Sequence, residues 1–483
     1  MDDYQTITTI ADLKKAGYTT KSVKEELRSN LVTKLKSGER VFDGIIGFDD
    51  TVLPDIERAI LSQHNILLLG LRGQAKTRIA RLLVTLLDEW MPIIAGSELN
   101  DDPLNPITRY GIDTVEKDGD QTKVEWVHRD DRYVEKLATP DVSIADLVGD
   151  VDPIKAATLK LPYSDERVIH FGLVPRSHRS IFVINELPDL QARIQVSLFN
   201  MLQEGDLQIR GFKLRLPLDI QFVFTANPED YTNRGSIITP LKDRIESQIL
   251  THYPKTVELS KEITSQEARV HPEQETVNVL ELHRNLIEQI AFEARQSDYI
   301  DEKSGVSARL SISALENLIS TAERRLLISG GERTSTRLSD YWGVIPAITG
   351  KVELVYEGEQ EGPYGMALSL IESAVKDTFL QYFPNPNDSG ESDPYGAIKA
   401  FFGDGNEVDL LNDASDEDYQ KALDDVPGLA RLVHNANVRA DHSYALMELA
   451  LHGLVELEVI GKDVVDGKVS FSDPLGDIFD GLS

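Results

Sequence analysis

Apolar residues follow two rhythms along the chain. Residues 66–69, 181–184 and 220–225 are short, almost wholly apolar runs, and 248–251 is a candidate fourth. Strands covered by helices on both faces read this way, because neither face meets water. Between these runs the apolar positions recur at helical spacing. Residues 22–35 place Val23, Leu27, Leu31, Val32 and Leu35 on one face, residues 77–90 place Ile79, Leu82, Leu83, Leu86 and Leu87, and 191–202 form another amphipathic stretch. Strands alternating with helices predict an α/β fold, a parallel sheet flanked by helices.

The same pattern divides the chain. Residues 1–42 read as a helical lead-in and 43–254 as the α/β core, with a polar insertion over the sheet at 100–139 and a stop at Tyr253-Pro254. Helical periodicity continues over 255–330 and extends through 331–380, where 362–379 forms an amphipathic helix. The acidic stretch 381–425, rich in Gly, Asn, Asp and Pro, predicts a flexible connector with one short helix. Residues 426–483 regain apolar periodicity as a small α+β segment, with a core helix at 446–454 and a hairpin at 464–471 around Asp466-Gly467.

Composition narrows the function classes. With 483 residues the prior is about three domains. The 50 basic and 81 acidic side chains give a net charge of −31. That excludes a constitutive binder of nucleic acid or anionic membrane, which needs a basic footprint, though not a local basic pore. The absence of cysteine removes disulfides, thiolate zinc sites and cysteine nucleophiles, and fits a reducing cytosol. No run approaches about 20 apolar residues, and the acidic N-terminus lacks the features of a secretory signal. A soluble, cytoplasmic protein is expected.

The strongest chemical signal is Gly70-Leu71-Arg72-Gly73-Gln74-Ala75-Lys76-Thr77, between a buried strand and a helix. A phosphate loop needs this context: backbone N–H groups and a helix N-terminus turned toward phosphate oxygens, a Lys for the β and γ phosphates, and a hydroxyl for Mg²⁺. The pattern wants Gly before the Lys. Ala75 is expected to be tolerated only with negative φ. A plain Gly-containing turn before a core helix is the competing reading.

Two strand ends strengthen the first reading. The run 181–184 ends in Asn185-Glu186, where a P-loop ATPase carries Asp-Glu on the strand beside the loop. Glu186 would polarise the attacking water, and Asn185 would bond a Mg²⁺-bound water without contributing charge, so weaker metal affinity is expected. The run 220–225 is followed by Ala226-Asn227-Pro228, whose Asn can hold the lytic water from the other side, although Asn-Pro is also an ordinary turn signal. The histidines show no paired-ligand spacing, so no metal beyond Mg²⁺ is expected.

Together and in this order the segments resemble AAA+ ATPases, most closely the clade of the magnesium chelatase ATPase subunit and the MoxR proteins. Phe171-Gly172-Leu173-Val174-Pro175-Arg176-Ser177-His178-Arg179, Thr225-Ala226-Asn227-Pro228-Glu229, Leu241-Lys242-Asp243-Arg244-Ile245 and Gly305-Val306-Ser307-Ala308-Arg309 are similar to segments of that clade. The resemblance implies a P-loop AAA+ core with a C-terminal helical lid, followed here by an extra C-terminal region. It implies ATP and Mg²⁺ as cofactors and a homo-oligomeric ring, a hexamer in the expected case, hydrolysing ATP between subunits to remodel a partner with a von Willebrand A domain. Ile46 and Gly47, after Ile45, would line the adenine pocket, and residues 70–77 would bind phosphate, with Thr77 and Asn185 toward Mg²⁺. Glu186 would be the base, Asn227 sensor 1, Arg244 the arginine finger and Arg309 sensor 2. Arg234 is a rival finger, and Arg244 has a plainer alternative as an ion-pair partner of Asp243 or Glu246. The resemblance also places a pore-facing insertion at 145–167 and a hairpin at 204–216. A MoxR-like chaperone, a porphyrin chelatase motor and a non-hydrolysing scaffold stay open, the last because Ala75 and Asn185 depart from pattern.

Overall fold

The computed structural model describes residues 6–163, 165–204, 206–209, 212–228, 236–301, 304–388, 393–436, 442–465 and 468–474. The chain divides into two units, Met1–His252 and Tyr253–Ser483. Among the described residues no helix is long and apolar enough to cross a membrane.

The first unit is built on five parallel strands: β1 (Ile66–Leu69), β4 (Tyr133–Leu137), β7 (Ser180–Asn185), β10 (Ile220–Ala226) and β11 (Ser247–Leu250), in the order β11-β1-β10-β7-β4. Successive side chains leave a strand on opposite faces, and here both faces are covered. Ile66, Leu68, Ile181, Val183 and Val223 pack against α1 (Val23–Ser37), α2 (Val52–Leu61) and α3 (Lys76–Leu82). Leu67, Leu69, Phe182, Ile184, Phe222 and Phe224 enter the opposite layer with α5 (Ala192–Glu204) and α6 (Thr239–Asp243). This two-sided burial is why β1, β7 and β10 read as nearly continuous apolar runs.

Three sequence expectations change. The strand beside β1 is β10, so the Asn185-Glu186 strand lies one position further out and the Asn227 strand lies between. The helix predicted over 77–90 is shorter: α3 ends at Leu82, a 3₁₀ turn covers Leu83–Leu86, and Trp90–Ile94 is strand β2, paired antiparallel with β3 (Val124–His128). The 100–139 segment is not only an insertion, because its last part, β4, is the edge strand of the sheet. The mixed polar and apolar residues of Tyr133–Leu137 hid an edge strand whose side chains are half-buried, with Leu137 exposed.

The lead-in also belongs to this unit. Helix α1 starts with a reciprocal Ser22–Glu25 capping box and buries Val23, Leu27 and Leu31, while Leu35 is exposed. Glu26 on its inner face forms a forked pair with Arg132, both contacts at 2.7 Å and both side chains buried. The 145–167 region holds β5 (Gly149–Val151) and α4 (Pro153–Leu159), and β6 (Ile169–Phe171) just after it pairs with β5, with Ile154, Leu159 and Tyr163 exposed. Strands β8 (Asp206–Ile209) and β9 (Phe212–Arg215) pair as the expected hairpin, whose apex at Arg210-Gly211 lies outside the described residues.

At the N-terminal edge of β7 the buried His178 accepts the Asp219 backbone N–H through Nδ1 at 3.0 Å. Burial, reinforced by the neighbouring Arg179 guanidinium, pushes its pKa from 6.5 down to about 4. The folded state therefore holds the neutral ring. The stability this contributes is fully present above the unfolded pKa and is lost as pH falls from 6.5 toward 4, an amount of about 3 kcal/mol. Asp219, raised to about 6 by burial, titrates in the same window but in the opposite sense. Comparison with His178→Asn, which keeps an acceptor, isolates the histidine. In urea unfolding the wild type should lose ground to the variant between pH 7 and pH 4. A difference that stays constant with pH contradicts the assignment.

The second unit has one core running from Val277 to Phe471. Helices α8 (Glu281–Gln296), α9 (Arg309–Ser329) and α10 (Tyr356–Tyr382) are joined in it by α11 (Gly396–Gly403), α12 (Asp416–Asp424), α13 (Leu429–Asn435) and α14 (Ser443–Glu456), while α7 (Val257–Glu267) is fastened to α8 by Ser260 and Thr264, whose hydroxyls donate to Glu288. Helix α10 is broken at Gly362, where φ is 78°. The predicted flexible connector is folded over its described residues. Tyr395, Ile398, Phe402 and Leu423 are buried, and β12 (Val408–Leu411) joins β13 (Gly461–Val465) and β14 (Lys468–Ser472) in the order β12-β14-β13. The acidic residues lie on the outer faces and hid a sparse apolar pattern. Asp416 is held by both Arg325, at 3.2 Å, and Arg337. The core helix at 446–454 is as expected, with Leu446, Leu449, Leu451 and Leu454 fully buried in α14. Strands β13 and β14 form the expected hairpin, and its Asp466-Gly467 turn lies outside the described residues.

Candidate functional site

The Gly-rich loop joins the C-terminal end of β1 to α3. Gly70 donates its N–H to the Ala226 carbonyl at 3.1 Å, which ties the start of the loop to the end of β10. A Cβ at Gly70 would strike Thr251 Oγ1 and Gln74 Oε1, so only glycine fits. Those two side chains bond each other at 2.7 Å, and the Thr251 N–H bonds Leu69 at 2.7 Å, fastening the loop to the end of β11. Leu71 is half-buried, and Arg72 and Gly73 are exposed on the loop's outer turn. Lys76 is buried, and its ammonium donates to the carbonyls of Gly70 and, at 3.0 Å, Leu71, so its charge lies within the loop. Thr77 follows in the first turn of α3.

Ala75 does not keep the negative φ expected of it. Its φ is 56° and ψ 13°, in the left-handed region at the helix N-cap. A non-glycine residue there is strained by about 1–2 kcal/mol. The loop geometry, set by bonds on both sides, overrides the local preference of alanine.

The two strand ends converge through Thr225, the residue that opens the 225–229 segment and to which the sequence assigned no role of its own. Thr225 Oγ1 donates to Asn185 Oδ1 at 3.1 Å and accepts the Glu186 N–H at 3.2 Å. It thereby locks the end of β7 to the end of β10. Asn185 and Asn227 are buried, and Glu186 is half-buried with a left-handed backbone, φ 55° and ψ 51°. Such strain, about 1–3 kcal/mol, persists only where surrounding structure over-determines it, and it clusters at functional sites. The Asn185 amide also donates through Nδ2 to Glu135 on β4 at 2.6 Å, and Glu135 takes two further bonds from Arg81 of α3, at 2.9 and 3.2 Å. The carboxylate beside it raises the Arg81 guanidinium pKa further. Thr225 stood in the sequence only as the first residue of the 225–229 segment, and no motif pointed to Thr251 or Glu135, because each acts through a neighbour on another strand.

Ile46 and Gly47 lie between buried Ile45 and Phe48. Phe48 meets the His252 ring edge-on at 4.9 Å, and Thr51 Oγ1 bonds His252 Nε2 at 2.9 Å. Since Thr251 is bonded to Gln74, this segment is anchored beside the loop. Arg244 caps α6 with 45 % of its side chain exposed. It is loosely paired with Asp243 at 3.8 Å, and its guanidinium lies 6.0 Å from the Phe199 ring centre. Glu246, the other partner considered for it, accepts the Asn65 N–H at 2.9 Å. Arg234 lies outside the described residues. Arg309 belongs to the second unit, exposed at the start of α9.

The oxygen-bearing set of Thr77, Asn185, Glu135 and Glu186 suits a hard cation such as Mg²⁺. Among the described residues no three His, Cys, Asp or Glu side chains converge as a metal cage.

A parallel sheet between two helical layers, with a Gly-rich loop running from its buried central strand into a helix, defines an α/β fold of the P-loop class. No protein-family model matches the chain. Among solved structures, a Cytophaga hutchinsonii chain named as an ATPase is similar at 17% identity, over 74% of this chain and 97% of that one, with a TM-score of 0.30. The BchI–BchD complex of magnesium chelatase gives 19% identity over 66% and 98%, with a TM-score of 0.34. NtrX of Brucella abortus in complex with ADP gives 13% over 60% of this chain and 52% of that chain, about half its length, with a TM-score of 0.33. Likenesses this distant leave the activity to be argued from the site itself.

Proposed function

We propose that this chain is an AAA+ ATPase that assembles into a ring and hydrolyses ATP between subunits to remodel a partner protein. The observation that carries the reading is the convergence of the 70–77 loop, Asn185-Glu186 and Asn227 at one end of the sheet, fastened by Thr225 and Thr251. In this reading the loop N–H groups and the α3 N-terminus hold the phosphates, and Lys76 leaves its loop carbonyls to meet the β and γ oxygens. Mg²⁺, when bound with the nucleotide, neutralises charge on the transferring phosphoryl group, and Thr77 would hold it. Glu186 takes the proton of the attacking water, which Asn227 orients from the adjacent strand. Arg244 reaches the neighbouring subunit's nucleotide, and Arg309 serves as sensor 2. The partner would carry a von Willebrand A domain, with a MoxR-like chaperone or a magnesium-chelatase-like motor as the two versions. The exposed Ile154, Leu159 and Tyr163 of the 145–167 insertion suit contact with such a partner.

A second reading, a nucleotide-binding scaffold without hydrolysis, draws on the strained Ala75 and the uncharged Asn185. Phosphate release by the purified protein separates the two, and Lys76→Ala tests the loop. ATP should raise the wild type's melting temperature, and the variant should lose that rise, because the charge that meets the β and γ phosphates is gone. An ATP-dependent shift retained in Lys76→Ala overturns the phosphate-loop assignment.

A further inference from the structure

Position 185 carries an amide where a carboxylate is expected, and a carboxylate lies against that amide. Glu135 comes from β4, the strand on the far side of β7. In the register Leu137 pairs with Asn185, so Glu135 stands two residues earlier, and its Oε1 accepts from Asn185 Nδ2 at 2.6 Å. The same carboxylate is forked to Arg81, at 2.9 and 3.2 Å, and takes the Tyr133 hydroxyl at 3.1 Å. Arg81 is four residues after Thr77 and so shares its face of α3. Glu135 is thus held between the end of β7 and the Thr77 face of the phosphate-loop helix, with 22% of its side chain exposed.

This pairing gives a physical reason for asparagine at 185. An aspartate there would set two carboxylates against each other at the end of the sheet, and like charges that close cannot both ionise without strong repulsion. The amide offers its NH₂ to Glu135, and its oxygen is turned to the other side, where it accepts from Thr225. A negative partner on the NH₂ polarises the amide and strengthens its oxygen as an acceptor.

We infer that Glu135 is the relocated acidic group of this site: a positioning residue that delivers negative charge toward nucleotide-bound Mg²⁺ from β4, through the Asn185 amide, in place of a carboxylate on β7. The inference rests on the phosphate-loop reading of residues 70–77. Arg81 tempers this charge without cancelling it, because 64% of its side chain lies in solvent and the pair is screened.

The test is ATP affinity of the full chain, measured by calorimetry once with excess Mg²⁺ and once with EDTA, the ratio of the two dissociation constants being the readout. Glu135→Gln keeps a side chain that can bond Asn185 but removes the charge. It should leave the EDTA value nearly unchanged and cut the Mg²⁺-dependent tightening about tenfold, the lower end of what losing an outer-shell partner of a metal ligand costs. The exchange Glu135→Gln with Asn185→Asp returns the charge to β7 and should restore the wild-type ratio. Arg81→Ala removes the countercharge bonded to Glu135 and should raise the ratio severalfold. An unchanged ratio in Glu135→Gln overturns the inference, and so does an exchange variant that binds ATP in EDTA normally yet fails to recover Mg²⁺ dependence. If Glu135→Gln does not fold, the Arg81→Ala result decides: a raised ratio supports the inference and an unchanged or lowered one overturns it. Failure of the wild type to bind ATP under either condition overturns the phosphate-loop reading, and this inference with it.

Discussion

Arg244→Ala is expected to bind ATP nearly as the wild type does and to hydrolyse it about 10³ to 10⁵ times more slowly, the usual cost of losing an arginine finger. The guanidinium is suited to that role by what it lacks at home. It is 45% exposed, and its acidic neighbour Asp243 is 3.8 Å away and more exposed still. Such a pair contributes little to stability, so the variant should unfold at nearly the wild-type urea concentration. A permanently charged, bidentate donor is the group that a transferring phosphoryl needs. If the finger acts in trans, mixing Arg244→Ala with Glu186→Gln rebuilds some interfaces that hold Glu186 from one chain and Arg244 from the next. Partial recovery of phosphate release is the expected result. No recovery in mixtures whose subunits demonstrably exchange overturns the shared site, and the same mixture made with Arg234→Ala decides between the two arginines.

Glu186→Gln should retain ATP-dependent thermal stabilisation and lose about 10² to 10⁴ in hydrolysis rate, the contribution of a positioned general base. The substitution preserves size and leaves the backbone bond to Thr225 in place. Because glutamine inherits the left-handed φ of 55°, stability should hardly change. Glu186→Gly is the complementary control. It relieves the backbone strain, so it should be no less stable than the wild type and still fail to hydrolyse. A Glu186→Gln protein that releases phosphate at the wild-type rate places the base elsewhere.

The chain's own pattern determined the kind of fold. Three apolar runs became the inner strands β1, β7 and β10, because two-sided burial admits little else there, and the fourth candidate became β11, an edge strand with Leu250 exposed. The Gly-rich loop between β1 and α3 was legible for a similar reason: the glycine at 70 and the helix that follows Lys76 are local requirements, met by neighbouring residues. The Ser22–Glu25 cap and the buried α14 were likewise written in their immediate neighbours.

What the sequence could not carry was anything settled by a neighbour distant along the chain. Edge strand β4 shows no continuous apolar run because its side chains are only half-buried and Leu137 is exposed. The acidic 381–425 stretch is tied down by distant partners: Tyr395, Ile398, Phe402 and Leu423 enter the core, and Asp416 bonds Arg325 and Arg337, some 80 to 90 residues earlier. Ala75 was expected at negative φ from its own Cβ, yet the bonds that fix the loop ends to β10 and β11 impose the opposite sign. Asn185 read as a missing charge until the register of β4 against β7 brought Glu135 to its amide. Local composition sets which elements form. Which strands lie side by side is a property of the whole sheet, and that adjacency decides which charges share a site.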